Sequence, residues 1–171
     1  MEKQYLKSSF REKLIEHLFI GELLKLSWSK QDYLEISRPE VDSSGYDIIV
    51  ETNDIIRHIQ IKASHKASST RSQKVNMALT KKPSACVVWI YFDADSLKLG
   101  PFLFFGGNPG EPLPDMSDFK VAKHTKGNAK GNKAERPNIR VVNRSQFKKY
   151  NSIKELYDQL LMRSINGSHS C

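Results

Sequence analysis

Tyr46-Asp-Ile-Ile-Val-Glu51, Thr52-Asn-Asp54 and Ile55-Ile-Arg-His-Ile-Gln-Ile-Lys62 follow one another without a break. The first run is dense in β-branched residues and the second alternates apolar with polar, so both read as strands. With only Thr52-Asn53-Asp54 between them they must pair as an antiparallel hairpin. Strand side chains alternate between faces, which puts His58, Gln60 and Lys62 on one face and Ile59 and Ile61 on the other. In the first strand Asp47 shares a face with Ile49 and Glu51. Antiparallel pairing brings Asp47, at the start of one strand, beside Gln60 and Lys62 at the end of the next. A carboxylate and an ammonium at a strand edge, next to the turn glycine Gly45, can hold a hard metal and an attacking water. The same spacing also suits a plain two-faced sheet, with Gln60 and Lys62 turned to solvent and Asp47 in an Asp/Gly turn.

Outward from the hairpin, residues 8–28 place Leu14, Ile15, Leu18, Phe19, Leu23 and Leu26 at intervals that predict an amphipathic helix. Residues 33–37 alternate as a short strand and stop before Pro39, which cannot donate to a ladder. Beyond the hairpin a Ser/Lys-rich loop leads to residues 71–80, expected as a helix ending before Pro83. Residues 84–92 form a nearly continuous apolar run, the pattern of a strand buried on both faces, so Trp89 and Tyr91 read as core rather than as a base-stacking platform. Another strand is expected at 102–105, closed by Gly106-Gly107. Residues 108–137 hold four prolines and three glycines with little periodicity and read as a long excursion from the core. Residues 139–142 return as a strand. Ser152 with Glu155 three residues later makes a capping box for a last helix over about 152–163. These elements make a single α/β domain, a mixed sheet flanked by helices.

The chain of 171 residues carries 27 Lys+Arg against 19 Asp+Glu, a net charge of +8. The excess is local. Ten basic residues and only Glu135 lie in 119–150, so that segment carries +9 and the rest of the chain sums to −1. Such a footprint fits a surface that meets a polyanion such as nucleic acid, and equally a solvated lysine-rich loop. No apolar stretch approaches the roughly 20 residues of a spanning helix, and the N-terminal residues do not form a signal-peptide core. Two cysteines, Cys86 and Cys171, and five scattered histidines leave no disulfide framework and no zinc-ligand spacing. A reducing cytoplasm is the simplest compartment, with no membrane partner.

A Glu-bearing first helix, then Gly45-Tyr46-Asp47, then Ile59-Gln60-Ile61-Lys62-Ala63-Ser64 resembles the PD-(D/E)XK nuclease superfamily. The likeness is to its Mrr-like restriction-endonuclease and Holliday-junction-resolvase-like branch, which writes the last motif as Gln-x-Lys. It spans about residues 12–92 and departs from the family pattern in two places: no Pro-Asp dipeptide stands at the motif, where Tyr46 precedes Asp47, and Gln60 stands where a second acid is usual. The resemblance implies a restriction-endonuclease-like fold and a metal-dependent endonuclease that hydrolyses DNA. It implies that Asp47, the amide oxygen of Gln60 and the backbone carbonyl of Ile61 hold Mg²⁺ (or Mn²⁺), while Lys62 orients or deprotonates water and stabilises the phosphorane. Phosphodiesters are inert until cations neutralise the charge building on their oxygens, and Mg²⁺ needs only one or two protein carboxylates.

The branch's Glu-x6-Leu-Leu pattern implies Glu16, followed by Leu23 and Leu24, as the helix acid. Periodicity favours a rival, since Glu22 falls within the apolar stripe, where it must reach the site or be neutralised by a basic partner. Asp42, just before the turn, is a further candidate acid. Lys66, Arg71 and Lys74, after the motif lysine, and Lys126, Lys130, Lys133, Arg136 and Arg140, in the basic segment, are the expected contacts to the DNA backbone; the sequence leaves RNA open as the nucleic acid. Two strands need two sites, so a homodimer is expected by analogy with junction resolvases. The alternative reading is a catalytically inactive module on the same fold that binds nucleic acid or a protein partner.

Overall fold

The computed structural model describes residues 2–41, 43–127 and 131–162. The hairpin forms as its pattern requires: strand β2 (Ile48–Thr52) pairs antiparallel with β3 (Ile55–His65), Thr52 facing Ile55 and Ile48 facing Ile59. The two-residue loop places Asn53 at φ +52°, a left-handed conformation that asparagine tolerates. Strand β1 (Glu35–Ser37) adds to the free edge of β2. On the other side β3 lies parallel to β5 (Ala85–Phe92), which pairs antiparallel with β6 (Leu99–Gly106), and β9 (Lys148–Tyr150) closes that edge. The result is a six-stranded mixed sheet in the order β1-β2-β3-β5-β6-β9.

Both helices cover one face of this sheet. Helix α1 (Glu2–Lys30) buries Ile15, Phe19 and Leu23, one stripe at spacings of four, against Ile48, Ile59, Val88 and Phe102. Helix α2 (Ile153–Leu161) starts at the capping box, with the Ser152 hydroxyl accepting from the Glu155 N–H, and adds Leu156, Tyr157 and Leu160 to the same layer. None of the described helices is long and apolar enough to cross a membrane.

The opposite face is covered by a second sheet rather than by helices. Strands β4 (Ser72–Asn76), β7 (Val121–Lys123) and β8 (Glu135–Asn143) pair antiparallel in the order β4-β8-β7. Val75 and Val142 of this sheet, with Leu113 and Met116 from the preceding loop, pack on Val87, Trp89, Leu103 and Phe105. Two expectations are corrected here. Residues 71–80 are not a helix: β4 pairs with β8 from Ser72↔Asn143 to Asn76↔Ile139, and a 3₁₀ turn (Met77–Lys81) follows, the Asn76 side chain accepting from the Ala78 N–H. Val75 and Leu79 stand four apart, which suits a helix face, but pairing with a strand some 65 residues away outweighs that local preference. Nor is 108–137 wholly an excursion, because it contributes β7, the start of β8 and buried Leu113, Met116 and Ala122.

Tyr157 ties the helical layer to the turn after α1, its hydroxyl donating to both carboxylate oxygens of Asp32 at 2.7 and 2.6 Å. Burial first, and the Asp32 carboxylate second, raise its phenol well above the ordinary value. In the unfolded chain this tyrosine loses its proton near pH 10, while the folded protein retains it. The unfolded state therefore binds fewer protons above that pH, and stability must fall as pH rises. The urea midpoint is expected to drop between about pH 9 and 11. Tyr157→Phe should remove part of that slope, and an unchanged slope would show that the hydrogen bond does not set it.

Candidate active site

The site grows from the end of the hairpin opposite its turn. Thr52 and Ile55 close a two-residue loop, so they form a hydrogen-bonded pair, and by alternation so do Val50 with Arg57 and Ile48 with Ile59. The Asp47 N–H reaches the same Ile59 carbonyl, at 2.9 Å, so two successive β2 residues oppose one residue of β3, as in a β-bulge. The ladder stops there and the Asp47 side chain takes the next rung: its Oδ2 accepts from the Ile61 N–H at 2.6 Å. Within a strand a residue's N–H and C=O point to the same edge, so the Ile61 carbonyl also faces that edge, past the last β2 pair. Gly45 makes the approach feasible. Its φ is +77°, and a Cβ there would lie 2.8 Å from the Cβ of Asn76, so a side chain would push β4 away from the turn.

His58, Gln60 and Lys62 share the face of β3 that turns toward the second sheet, since Gln60 is in register with Val87 and Lys62 with Trp89. Gln60 is only 8% exposed, and its Oε1 is buried without a hydrogen-bond partner. Such an atom costs free energy unless a water or a cation reaches it. His58 packs edge-on against the Tyr46 ring, 5.0 Å between centroids, and Lys82 Nζ lies 5.4 Å from the same ring. Burial, followed by the Lys82 charge, lowers the imidazole pKa from its ordinary 6.5. Sequence reasoning missed Lys82, because nothing in its local pattern shows that the 3₁₀ turn folds back over Tyr46.

The two helix acids go to different places. Glu16 is buried and contacts Lys13 Nζ at 2.9 Å and Arg38 Nη2 at 2.9 Å, the latter an ion pair off the hydrogen-bond direction. Arg38 follows β1, whose last pair is Ser37↔Ile49, so it stands level with Ile48, one residue from Asp47. Glu16 is thus delivered to the Asp47 end of β2, already neutralised. Glu22 pairs with Lys25 at 2.9 Å and lines a groove with Leu97, Phe102 and Ile153, beside β6 and α2. A basic partner, not the site, answers its place on the stripe. Asp42 lies outside the described residues.

No family model, curated protein or solved structure matches the chain. The site therefore has to be read from its own chemistry. Among the described residues no three His, Cys, Asp or Glu side chains gather as metal ligands. What the hairpin end offers is an all-oxygen set of one carboxylate, one amide oxygen and one backbone carbonyl. That set, with the unpartnered Gln60 Oε1, fits a hard divalent cation whose remaining positions are filled by water and phosphate. A cleft of about 550 Å³ between β9 and α2, lined by Asn108, Tyr150 and Gln159, holds none of these groups.

While Lys148 and Lys149 stand on β9 of the main sheet itself, the part of the basic segment in β7 and β8 lies on the same side of the main sheet as Gln60 and Lys62. Lys74, Lys126, Lys133 and Arg136 are exposed there. Lys74 Nζ donates to the Lys123 carbonyl at 3.3 Å, and Arg140, half-buried, donates to the Pro137 carbonyl at 2.6 Å. Lys66 and Arg71 are exposed on the loop between β3 and β4. The Arg71 carbonyl accepts from the Arg144 N–H at 2.8 Å, and the Arg144 guanidinium stands 5.1 Å from the Tyr91 ring. Lys130 lies outside the described residues.

Proposed function

We propose that this protein is a metal-dependent endonuclease on a restriction-endonuclease-like fold, hydrolysing DNA phosphodiester bonds at the end of the β2–β3 hairpin. The observation that carries the reading is the Asp47 carboxylate on the Ile61 N–H. It sets the acid on the backbone N–H of Ile61, the residue between Gln60 and Lys62. A mixed sheet with an antiparallel β1–β2–β3 meander and β5 parallel to β3 is consistent with that fold. When bound, Mg²⁺ or Mn²⁺ polarises the phosphate and lowers the pKa of a bound water. Asp47 and the Ile61 carbonyl would hold that ion, and Gln60 would supply a neutral oxygen. Lys62 steadies the charge that develops on the phosphate oxygens and orients the attacking water. Glu16, neutralised by Arg38 and Lys13, acts as a support at the Asp47 end of β2. The second sheet, with Lys66, Arg71 and Lys74, grips the backbone through sequence-independent phosphate contacts. The reading places the protein in the cytoplasm, with a homodimer required where both strands are cut.

A specific observation favours a second reading, an inactive nucleic-acid-binding or protein-interaction module on the same fold. Glu16 is spent on two cations, which leaves Asp47 as the carboxylate of the site. Incubation of supercoiled plasmid with Mg²⁺ or Mn²⁺ separates the two. Nicked and linear products that vanish when EDTA removes the metal are expected. Salt-sensitive DNA binding without product in either metal would overturn the nuclease reading in favour of the nucleic-acid module, and absence of any DNA affinity at low salt would favour a protein partner.

A further inference from the structure

Two arginines face each other where the second sheet ends over β3 and β5. Strand β4 pairs with β8 through Ser72↔Asn143, and the Arg144 N–H donates to the Arg71 carbonyl at 2.8 Å, so Arg71 and Arg144 form the next rung of the same antiparallel ladder. Residues directly opposite in such a ladder present their side chains on one face, where like charges repel. Alternation gives the two arginines the face of Val75 and Val142, which are buried against the main sheet. The Arg144 guanidinium agrees, standing 5.1 Å from the ring of Tyr91 on β5.

Nothing in the fold neutralises this pair. Both residues are exposed, and among the described residues neither side chain has a hydrogen bond or an ion pair. Asp93, the first residue after β5, turns its carboxylate onto the Ser96 N–H and hydroxyl, each at 2.8 Å. Beneath Arg144, Tyr91 is 3% exposed and its hydroxyl is buried without a hydrogen-bond partner. A like-charged rung with no acid and a buried donor with no acceptor are both costly, and an oxyanion answers both. The Tyr91 ring steadies Arg144 without using its N–H groups, which leaves two guanidinium forks side by side, the donor geometry that matches phosphate oxygens.

The place of the pair relative to the hairpin follows from register. Lys62 is level with Trp89 and Ser64 with Tyr91, and all four belong to the face turned toward the second sheet, where the Trp89 indole N–H donates to Ser64 Oγ. The arginines therefore stand over the same face as Lys62, two residues or roughly 7 Å further along the strands.

We propose that Arg71 and Arg144 form a two-armed clamp for one phosphate of the bound nucleic-acid strand, beside the phosphate that Lys62 meets. That the ligand is a nucleic acid and that the neighbouring phosphate is the scissile one rest on the nuclease reading; the demand of the pair for an oxyanion does not.

The test uses the full chain carrying Lys62→Ala, to silence cleavage, and a fluorescein-labelled duplex whose affinity is followed by anisotropy against NaCl concentration. Arg71→Ala and Arg144→Ala are each expected to weaken binding roughly 5-fold. Together they should lower the log–log salt slope by about 0.9, the counterion released at one phosphate. A fall of about 1.8 would overturn the shared clamp, because the two arginines would then hold two phosphates. Arg71→Glu separates binding from folding: a carboxylate opposite Arg144 turns repulsion into attraction, so the thermal midpoint should hold or rise while duplex affinity falls further than in Arg71→Ala. Unchanged affinity in Arg71→Glu and Arg144→Ala would overturn the clamp. Displacement of the duplex by micromolar inorganic phosphate would also overturn it, since the pair would then serve a free small anion. The nuclease reading is decided separately, by plasmid cleavage with the unsubstituted protein. Affinity lost in the arginine variants without cleavage by that protein keeps the clamp and removes the nuclease; cleavage with unchanged affinity in the variants does the reverse.

Discussion

Asp47→Asn is expected to reduce Mg²⁺-dependent plasmid cleavage by about 10²–10⁴-fold while leaving the fold and most of the DNA affinity in place. The asparagine amide keeps an oxygen at the position that accepts from the Ile61 N–H, so the 2.6 Å rung survives and only the negative charge is lost. Asp47→Ala differs in kind, because it also strips the part-buried Ile61 N–H of its acceptor, at a cost of about 1 kcal/mol. Comparing the two separates chemistry from stability: equal thermal midpoints for the wild type and Asp47→Asn, with cleavage lost, mark a metal-holding carboxylate. Lys62→Ala should lose about 10²–10³-fold, and the double variant should be little worse than the stronger single one, since residues of one constellation act as a unit. Full cleavage by either single variant would remove the mechanism. A DNA affinity changed as much as the rate would instead assign these residues to binding.

Trp89→Ala is expected to be the most destabilising single change, at about 3–5 kcal/mol, against a total of about 5–15 kcal/mol for a typical domain. Trp89 is fully buried at the centre of the layer between the two sheets, stacked on Tyr91 with 5.3 Å between centroids and meeting Phe147 edge-on at 5.5 Å. Its removal leaves a cavity beneath the second sheet and takes from Ser64 the donor of its 3.0 Å hydrogen bond. The denaturant midpoint should fall accordingly. Trp89→Phe, which keeps most of the volume and loses the N–H, should cost less than half as much. Equal losses in the two would assign the effect to the Ser64 hydrogen bond rather than to packing.

The candidate site was legible where its geometry is local. Gln60 and Lys62 share a face because strand side chains alternate, and Asp47 reaches the Ile61 N–H between them because the short turn leaves the hairpin one register. The buried run at 84–92, the capping box at Ser152 and the long first helix follow from similarly short-range rules. Even there one detail escaped alternation: the doubled Asp47/Ile48 contact to Ile59 turns the Asp47 side chain along the sheet edge, onto a backbone N–H rather than simply onto a face.

The hairpin, a buried strand at 84–92, the helical first segment and the confinement of positive charge to residues 119–150 can all be read from the chain alone. Each is a matter of periodicity, spacing or counting over a few neighbours. That 71–80 is strand and 3₁₀ turn, that Glu16 meets Arg38 while Glu22 meets Lys25, and that the basic segment gives β7 and β8 to the second sheet and β9 to the main one emerges only in three dimensions. Those outcomes depend on partners distant in the chain, Ser72 with Asn143 or Glu16 with Arg38. A pairing between such residues leaves no period in either segment; it is settled by which surfaces can be buried together once the main sheet has formed.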